Sequence, residues 1–351
     1  MTSDKKYSER IESFDVLRVL ATLAVVVLHL SAQHWIDVDV TSRAWFAFNL
    51  YDSAVRWAVP VFTMISGALF LSRDIPFSAI LRKNILRIAT AFVFWSAAYA
   101  LIDFVAYGDT PVGALMQFFQ GHYHMWFLFM IVGLYLIIPL LQKFVGDTAL
   151  VRYFLLLGLV FTFLLPQLAA LSSLVSWEAG SVLNTIIIYS HLQLPLGFSV
   201  YFVGGYYLSK RSFTGREELV IYSAGIAGFL FTVFASAGVS AGQGAATTLF
   251  YGHDTFNVLS MSAAIFVFAR QHLNFPRMGD QARSVLRRLS KYSFGVYLVH
   301  PMVIELLQYF GIDTFSCNAF FSVPLLALLV FVVSLAISAV LNRIPFFKRF
   351  V

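Results

Sequence analysis

Long apolar runs recur along the whole chain, and polar residues are confined to short segments between them. A transmembrane helix needs roughly 17 to 25 mainly apolar residues, at about 1.5 Å of rise per residue. None of the polar segments is long enough to fold as a soluble domain. The pattern therefore predicts an all-α, polytopic transmembrane helix bundle that forms a single domain over residues 1–351. The apolar stretches suggest about ten spans, at residues 14–34, 50–71, 84–106, 125–141, 150–168, 182–208, 219–238, 253–270, 292–310 and 319–342.

The distribution of positive charge gives an independent test of this topology. Cytoplasmic segments of membrane proteins are enriched in Lys and Arg. If the N-terminus is cytoplasmic, all 24 Lys and Arg residues lie at inner ends or in inner loops except Arg43 and Arg56. We therefore expect both termini to be cytoplasmic. The net charge of +6 follows from this orientation, so it does not indicate a nucleic-acid partner.

Composition supports the membrane assignment and excludes several classes of function. The chain is 59% apolar and 12% charged, with a mean hydropathy of +0.78, whereas soluble domains are about 25% charged. Its single cysteine, Cys317, rules out an internal disulfide. The sequence contains no phosphate-binding glycine loop and no zinc motif, so we expect neither an ATP-driven pump nor a bound metal.

Two polar residues interrupt the first apolar run, FDVLRVLATLAVVVLHLSAQHW. Arg18 and His29 are eleven residues apart, which is within about 20° of three helical turns, so they share one face and lie about 16 Å apart along the axis. Asp15 lies one turn from Arg18 and is its expected partner. A histidine this deep in an apolar run usually faces a cavity or the interior of a bundle. We therefore consider Arg18 and His29 as functional candidates.

The ninth predicted span contains two further polar candidates, His300 and Glu305. Glu305 and His29 lie at similar depths, about 21 and 22 Å from the inner face, so the two side chains could meet. A carboxylate that hydrogen-bonds one ring nitrogen raises the basicity of the other, as a general base requires. The same pair could instead relay protons in a transporter of a small organic solute. A non-catalytic scaffold or sensor is the third alternative.

A cluster of cations follows the second predicted span, in SGALFLSRDIPFSAILRKNILRI. Arg82 and Arg87 diverge by about 140° around a helix, so we expect at least one of them to face the bundle. Such a cluster could simply orient the chain, or it could bind the phosphates of a cytoplasmic nucleotide-like donor. The candidate phosphate ligands are Arg73, Arg82, Lys83 and Arg87.

The segment GHYHMWFLFMIVGLYLIIPLL begins a span from the outer side. His122, His124 and Trp126 could be ordinary interfacial residues, but His124 and Trp126, together with His300, are also our candidates for substrate binding. On a helix, His122 and His124 would face different sides, so we do not expect this pair to bind a metal.

Four segments together resemble the membrane-bound acyltransferase 3 family. They are the Arg18-to-His29 spacing in the first span, VPVFTMISGALFLSR followed by RKNILRI, HMWFLFMIVGLYLIIPLL, and KYSFGVYLVHPMVI. They occur in the order typical of the family and extend over residues 14 to 310. With no fused extracytoplasmic domain, the chain is most similar to the stand-alone sugar O-acetyltransferases of this family.

The resemblance implies a ten-helix core in the bacterial cytoplasmic (inner) membrane and acetyl-CoA as a cytoplasmic co-substrate. It also implies an acceptor hydroxyl on a cell-surface glycan or a lipid-linked sugar. His29 would be the catalytic histidine and Arg18 its partner, while Arg73, Arg82 and Arg87 would hold the phosphates of CoA. From the sequence, His29 could act as a general base or as an acyl relay.

Overall fold

The computed structural model describes residues 11–106, 108–190, 196–273 and 278–351, where all regular secondary structure is helical. The predicted all-α class is therefore confirmed. Two of the long helices each include one π-helical turn, at Ile80–Ile85 and Leu159–Leu164. The described helices are α1 (Glu12–Ala32), α2 (Arg43–Val55), α3 (Ala58–Phe70), α4 (Phe77–Ala106), α5 (Pro111–Gln120), α6 (Trp126–Phe144), α7 (Thr148–Val175), α8 (Trp177–Ser190), α9 (Ser199–Lys210), α10 (Gly215–Gln243), α11 (Phe256–His272), α12 (Asp280–Tyr309) and α13 (Ala319–Leu341).

Seven helical segments in the described part of the chain are long and apolar enough to cross a membrane. They are α1, α2 with α3, α4, α5 with α6, α7, α10 and α13. Of the other predicted spans, 253–270 and 292–310 lie mainly on α11 and α12, whereas 182–208 includes residues 191–195, which are outside the described residues. The fold is therefore that of a multi-pass membrane protein.

Helix α1 lies at the centre of the bundle. It contacts α2, α3, α11, α12 and α13. Its buried residues include Leu17, Ala21, Val26 and Leu30, which pack into three separate apolar clusters. Because neighbouring helices surround α1, its polar residues face protein and an internal cavity.

Helices α3 and α9 approach each other closely at two glycines. A Cβ atom on Gly67 would lie 1.7 Å from the carbonyl oxygen of Phe202, and one on Gly205 would lie 2.1 Å from that of Met64. Small residues at such crossings allow helix backbones in membranes to pack tightly. This contact fixes α3, which forms one wall of the site described below, against α9.

Candidate active site

A cavity of about 820 Å³ lies beside α1, with further walls from α3, α6 and α12. Arg18 and His29 both line it. Since their spacing on α1 corresponds to about 16 Å, the cavity extends over three turns of this helix. Two of the residues selected from the sequence thus lie at opposite ends of one cavity, as their shared helical face predicted.

The end of the cavity near Arg18 is strongly cationic. Arg18 Nη1 lies 3.6 Å from Oδ1 of Asp15, and the hydroxyl of Ser290 donates to the same oxygen at 2.6 Å. Asp15 is only 2% exposed, whereas Arg18 is 34% exposed. The buried carboxylate therefore orients a guanidinium that remains accessible from the cavity, and the expected Arg18–Asp15 pair is confirmed. The cations that line this end are Arg18, Arg87, Lys291 and Lys348.

Of the four predicted phosphate ligands, Arg87 lines the cavity and the other three do not. Arg87 donates a hydrogen bond of 2.8 Å to the carbonyl oxygen of Val351, and its guanidinium lies 5.2 Å from the centre of the Phe294 ring. Arg73, Arg82 and Lys83 are exposed on the surface. Arg87 is exposed as well, but its contacts with Val351 and Phe294 hold its guanidinium at the cavity, which Arg82 does not line.

At the other end of the cavity, His29 lies among aromatic rings. It stacks on His300 with a centroid separation of 5.1 Å, and Tyr123 meets it edge-on at 5.1 Å. His300 is fully buried, and its Nδ1 lies 2.8 Å from the carbonyl oxygen of Tyr297. A carbonyl oxygen can only accept, so Nδ1 of His300 carries the proton. His300, which the sequence suggested only as a candidate for substrate binding, therefore lies directly beside His29.

Glu305 does not pair with His29, and this expectation was wrong. Oε1 of Glu305 lies 3.0 Å from Nε2 of His122. Glu305 follows His300 by five residues, which places the two about 140° apart around α12. Glu305 therefore points away from His29 and reaches His122, in the segment between α5 and α6. Equal depth in the membrane did not imply the same direction.

His122 and His124 face the same site, because the backbone around them is not α-helical. Helix α5 ends at Gln120, Gly121 has a φ of +76°, and Tyr123–Met125 form a single 3₁₀ turn. The two Nδ1 atoms lie 3.1 Å apart, within hydrogen-bond distance. The assumption of helical geometry was therefore wrong for this pair. Among the described residues, no group of three or more His, Cys, Asp or Glu side chains is arranged to hold a metal ion.

The wall of the cavity near His29 combines one cation with aromatic surfaces. Arg56 hydrogen-bonds the buried Asp52, and its guanidinium lies 4.1 Å from the centre of the Tyr251 ring. Trp126 also lines the cavity and lies 6.1 Å from the ring of His253, nearly parallel to it. Aromatic faces beside hydrogen-bonding groups suit a ligand that is partly apolar and partly hydroxylated, such as a sugar ring.

The sequence contained signals for some cavity residues that we did not select. Arg56 is one of only two cations assigned to the outer side, within the apolar segment VRWAVPVF. Lys291 begins the last of the four family segments. For Lys348, which lies beyond the last long apolar run, we find no comparable signal.

The helical bundle, with a cavity lined by cations and histidines, defines a multi-pass membrane protein with a candidate active site inside the bundle. A family model described as an acyltransferase domain matches residues 11–343. The chain therefore belongs to the acyltransferase 3 family and is a membrane acyltransferase. No curated protein and no solved structure is significantly similar to it.

Proposed function

We propose that this protein transfers an acetyl group from cytoplasmic acetyl-CoA to a hydroxyl of a cell-surface glycan or lipid-linked sugar. In this proposal the chain crosses the bacterial cytoplasmic membrane about ten times, with both termini in the cytoplasm. The single observation that supports it most is the cavity with cations at one end and His29 at the other. A donor with several phosphates and a long flexible arm fits that shape.

The cavity cations would bind the phosphates of acetyl-CoA. Arg18 and Arg87 can each offer a planar fork of donors to a phosphate, and Lys291 and Lys348 add positive charge. Arg73, Arg82 and Lys83 would contact only the parts of CoA that remain outside the cavity. The pantetheine arm would then extend along α1 and bring the thioester towards His29.

His29 would act on the transfer as a general base or as an acyl relay. His300 lies beside His29. Nδ1 of His300 donates to the carbonyl oxygen of Tyr297, and this hydrogen bond fixes the orientation of the His300 ring against which His29 stacks. Trp126 and Tyr251 would form the aromatic wall against which the acceptor sugar lies. The transporter alternative required a proton relay from His29 to Glu305, and Glu305 pairs with His122 instead.

Inverted membrane vesicles from an expressing bacterium, supplied with acetyl-CoA labelled in the acetyl group, test this proposal. Label should accumulate in the glycan and lipid-linked sugar fraction. His29→Ala should lower the initial rate at least a hundredfold, since a proton-transfer group contributes about 10²- to 10⁴-fold.

His34→Ala is the matched control for this variant. His34 lies just beyond α1, 3.4 Å from Asp313 and outside the cavity lining, so this variant should retain at least half of the wild-type rate. Wild-type transfer by a folded His29→Ala protein would exclude the catalytic role. Absence of label in the wild-type vesicles would refute the proposed reaction.

A further inference from the structure

Glu305, His122 and His124 form a continuous hydrogen-bonded chain beside the cavity. Oε1 of Glu305 lies 3.0 Å from Nε2 of His122, and Nδ1 of His122 lies 3.1 Å from Nδ1 of His124. His122 is 10% exposed and His124 is 2% exposed. The mechanism proposed above uses no member of this chain.

With Glu305 ionised and His122 neutral, the hydrogen-bond chemistry of these groups sets the protons on both rings. An ionised carboxylate can only accept, so Nε2 of His122 carries a hydrogen and donates it to Glu305. In a neutral imidazole the other nitrogen then has no hydrogen, so Nδ1 of His122 accepts from Nδ1 of His124. Nε2 of His124 therefore bears a lone pair.

Among the described residues, two ring nitrogens beside His29 lack a hydrogen-bond partner, Nε2 of His124 and Nε2 of His300. Of these two histidines, His124 is the one that also lines the cavity. Nε2 of His124 is buried and has no hydrogen-bond partner in the structure. His124 lines the cavity together with His29, and its ring lies 5.5 Å from that of His300, on which His29 stacks. The hydroxyl of Tyr297 donates to the carbonyl oxygen of His124 at 2.6 Å and fixes the backbone at this point.

We infer that Nε2 of His124 takes the proton of the acceptor hydroxyl. Glu305, acting through His122, is then the positioning residue that keeps this nitrogen unprotonated and orients the His124 ring. This inference rests on the proposed acetyl transfer. A carboxylate behind a histidine fixes its tautomer and stabilises the imidazolium that forms when it accepts a proton. Here one further histidine transmits that effect.

The proton and bond changes balance within the cavity. The acceptor O–H bond breaks as its proton passes to Nε2 of His124, and the acceptor oxygen forms the new bond to the acetyl carbon. The bond from that carbon to the leaving atom breaks, and the leaving atom then takes the proton from His124. The leaving atom is a nitrogen of His29, which has first attacked the thioester, so that the bond from the acetyl carbon to the sulfur of CoA breaks and the sulfur takes the ring proton of His29. His29 is thereby left to act on the acetyl group, and His124 acts on the acceptor.

A double-mutant cycle tests whether Glu305 acts through His124. We expect Glu305→Gln to lower kcat for acetyl transfer in the vesicle assay by about 10- to 100-fold. This is less than the roughly 10⁴-fold loss seen when a carboxylate in direct contact with a catalytic histidine is replaced, because His122 lies between Glu305 and His124. The KM for acetyl-CoA should stay within about threefold, because Glu305 lies far from the cationic end. In a His124→Gln background, Glu305→Gln should change kcat by less than twofold, since residues that act as a unit are not additive.

If His124→Gln abolishes measurable transfer, a second double-mutant cycle, between Glu305 and His122, tests the inference instead. His122→Gln should lower kcat as much as Glu305→Gln does, and the double variant should be no slower than either single variant. Asp313→Asn is the matched control, since it removes the carboxylate of another histidine–carboxylate pair, 3.4 Å from His34, outside the cavity. It should leave kcat within twofold of wild type.

Three results would overturn the inference. They are an unchanged kcat in Glu305→Gln, wild-type transfer by His124→Gln, and equal loss from Glu305→Gln in the presence and absence of the His122 ring. Any of these, found together with active wild-type protein and inactive His29→Ala, leaves the proposed function standing. Inactive wild-type protein instead refutes the proposed function.

Discussion

Individual side chains at the two ends of the cavity are held by different interactions. Arg18 is oriented by a buried carboxylate that also accepts from Ser290, whereas His29 is confined by the rings of His300 and Tyr123. The sequence predicted the first arrangement, because Asp15 and Arg18 are close on one helix. It could not predict the second, because ring contacts between α1, α12 and the α5–α6 segment depend on the tertiary packing.

Arg82 and Arg87 lie on the same helix, but of the two only Arg87 lines the cavity. Arg87→Gln should raise the KM for acetyl-CoA about tenfold, because a hydrogen bond to a charged group contributes about 1.5–3 kcal/mol and each 1.4 kcal/mol is a factor of ten. Arg82→Gln should change it by less than about threefold, because exposed ion pairs contribute less than about 1 kcal/mol. Steady-state kinetics in the vesicle assay measure both. Equal effects would contradict the assignment of the phosphates to the cavity cations.

Single elements show where prediction from periodicity succeeds and where it fails. The Arg18-to-His29 spacing predicted a common face because α1 is a regular helix. The same rule failed for His122 and His124, because the chain between α5 and α6 contains Gly121 at positive φ and a 3₁₀ turn. Glu305 lies on a regular helix, but its direction depends on which helices surround α12, and one sequence does not contain that information.

The contact between α3 and α9 gives a prediction for an element pair. Gly205→Ala should lower the free energy of unfolding by about 1–3 kcal/mol, because its new methyl group would overlap the backbone of Met64 and separate the two helices. The loss should appear as a lower thermal unfolding midpoint of the purified protein in detergent. Gly238→Ala is the matched control, since nothing lies within 4 Å of its added Cβ on α10, and its midpoint should be unchanged or slightly higher. Equal midpoints for wild type and Gly205→Ala would contradict the close packing.

Across the whole molecule, the helical membrane class follows directly from the apolar runs, and the order of the four family segments indicated the acyltransferase family. The number of spans is harder to read from apolar length, because α12 combines charged residues in its first half with His300 and Glu305 in its second. Polar residues that face other helices or loops, as His300 and Glu305 do, make a helix less apolar than one that faces only lipid.

The single cysteine provides a direct probe of the proposed orientation. Cys317 is exposed between α12 and α13, in a segment that ten spans place outside the cell. A membrane-impermeant thiol reagent should therefore label it in spheroplasts and fail to label it in sealed inverted vesicles. For the control, Cys317→Ser combined with Ser212→Cys moves the thiol to an exposed inner loop, and the pattern should reverse. Labelling of Cys317 from the cytoplasmic side would contradict the topology.

The most direct test of the account is to block the cavity between its two ends. Val25 lines the cavity on α1, between Arg18 and His29, so Val25→Phe places a ring in the path of the pantetheine arm. We expect acetyl transfer in vesicles to fall by at least tenfold, while folding, measured by the thermal unfolding midpoint, stays close to wild type. Val332→Phe, on the exposed surface of α13, should transfer acetyl at the wild-type rate. Wild-type transfer by a folded Val25→Phe protein would contradict the claim that the cavity connects the acetyl-CoA site to His29.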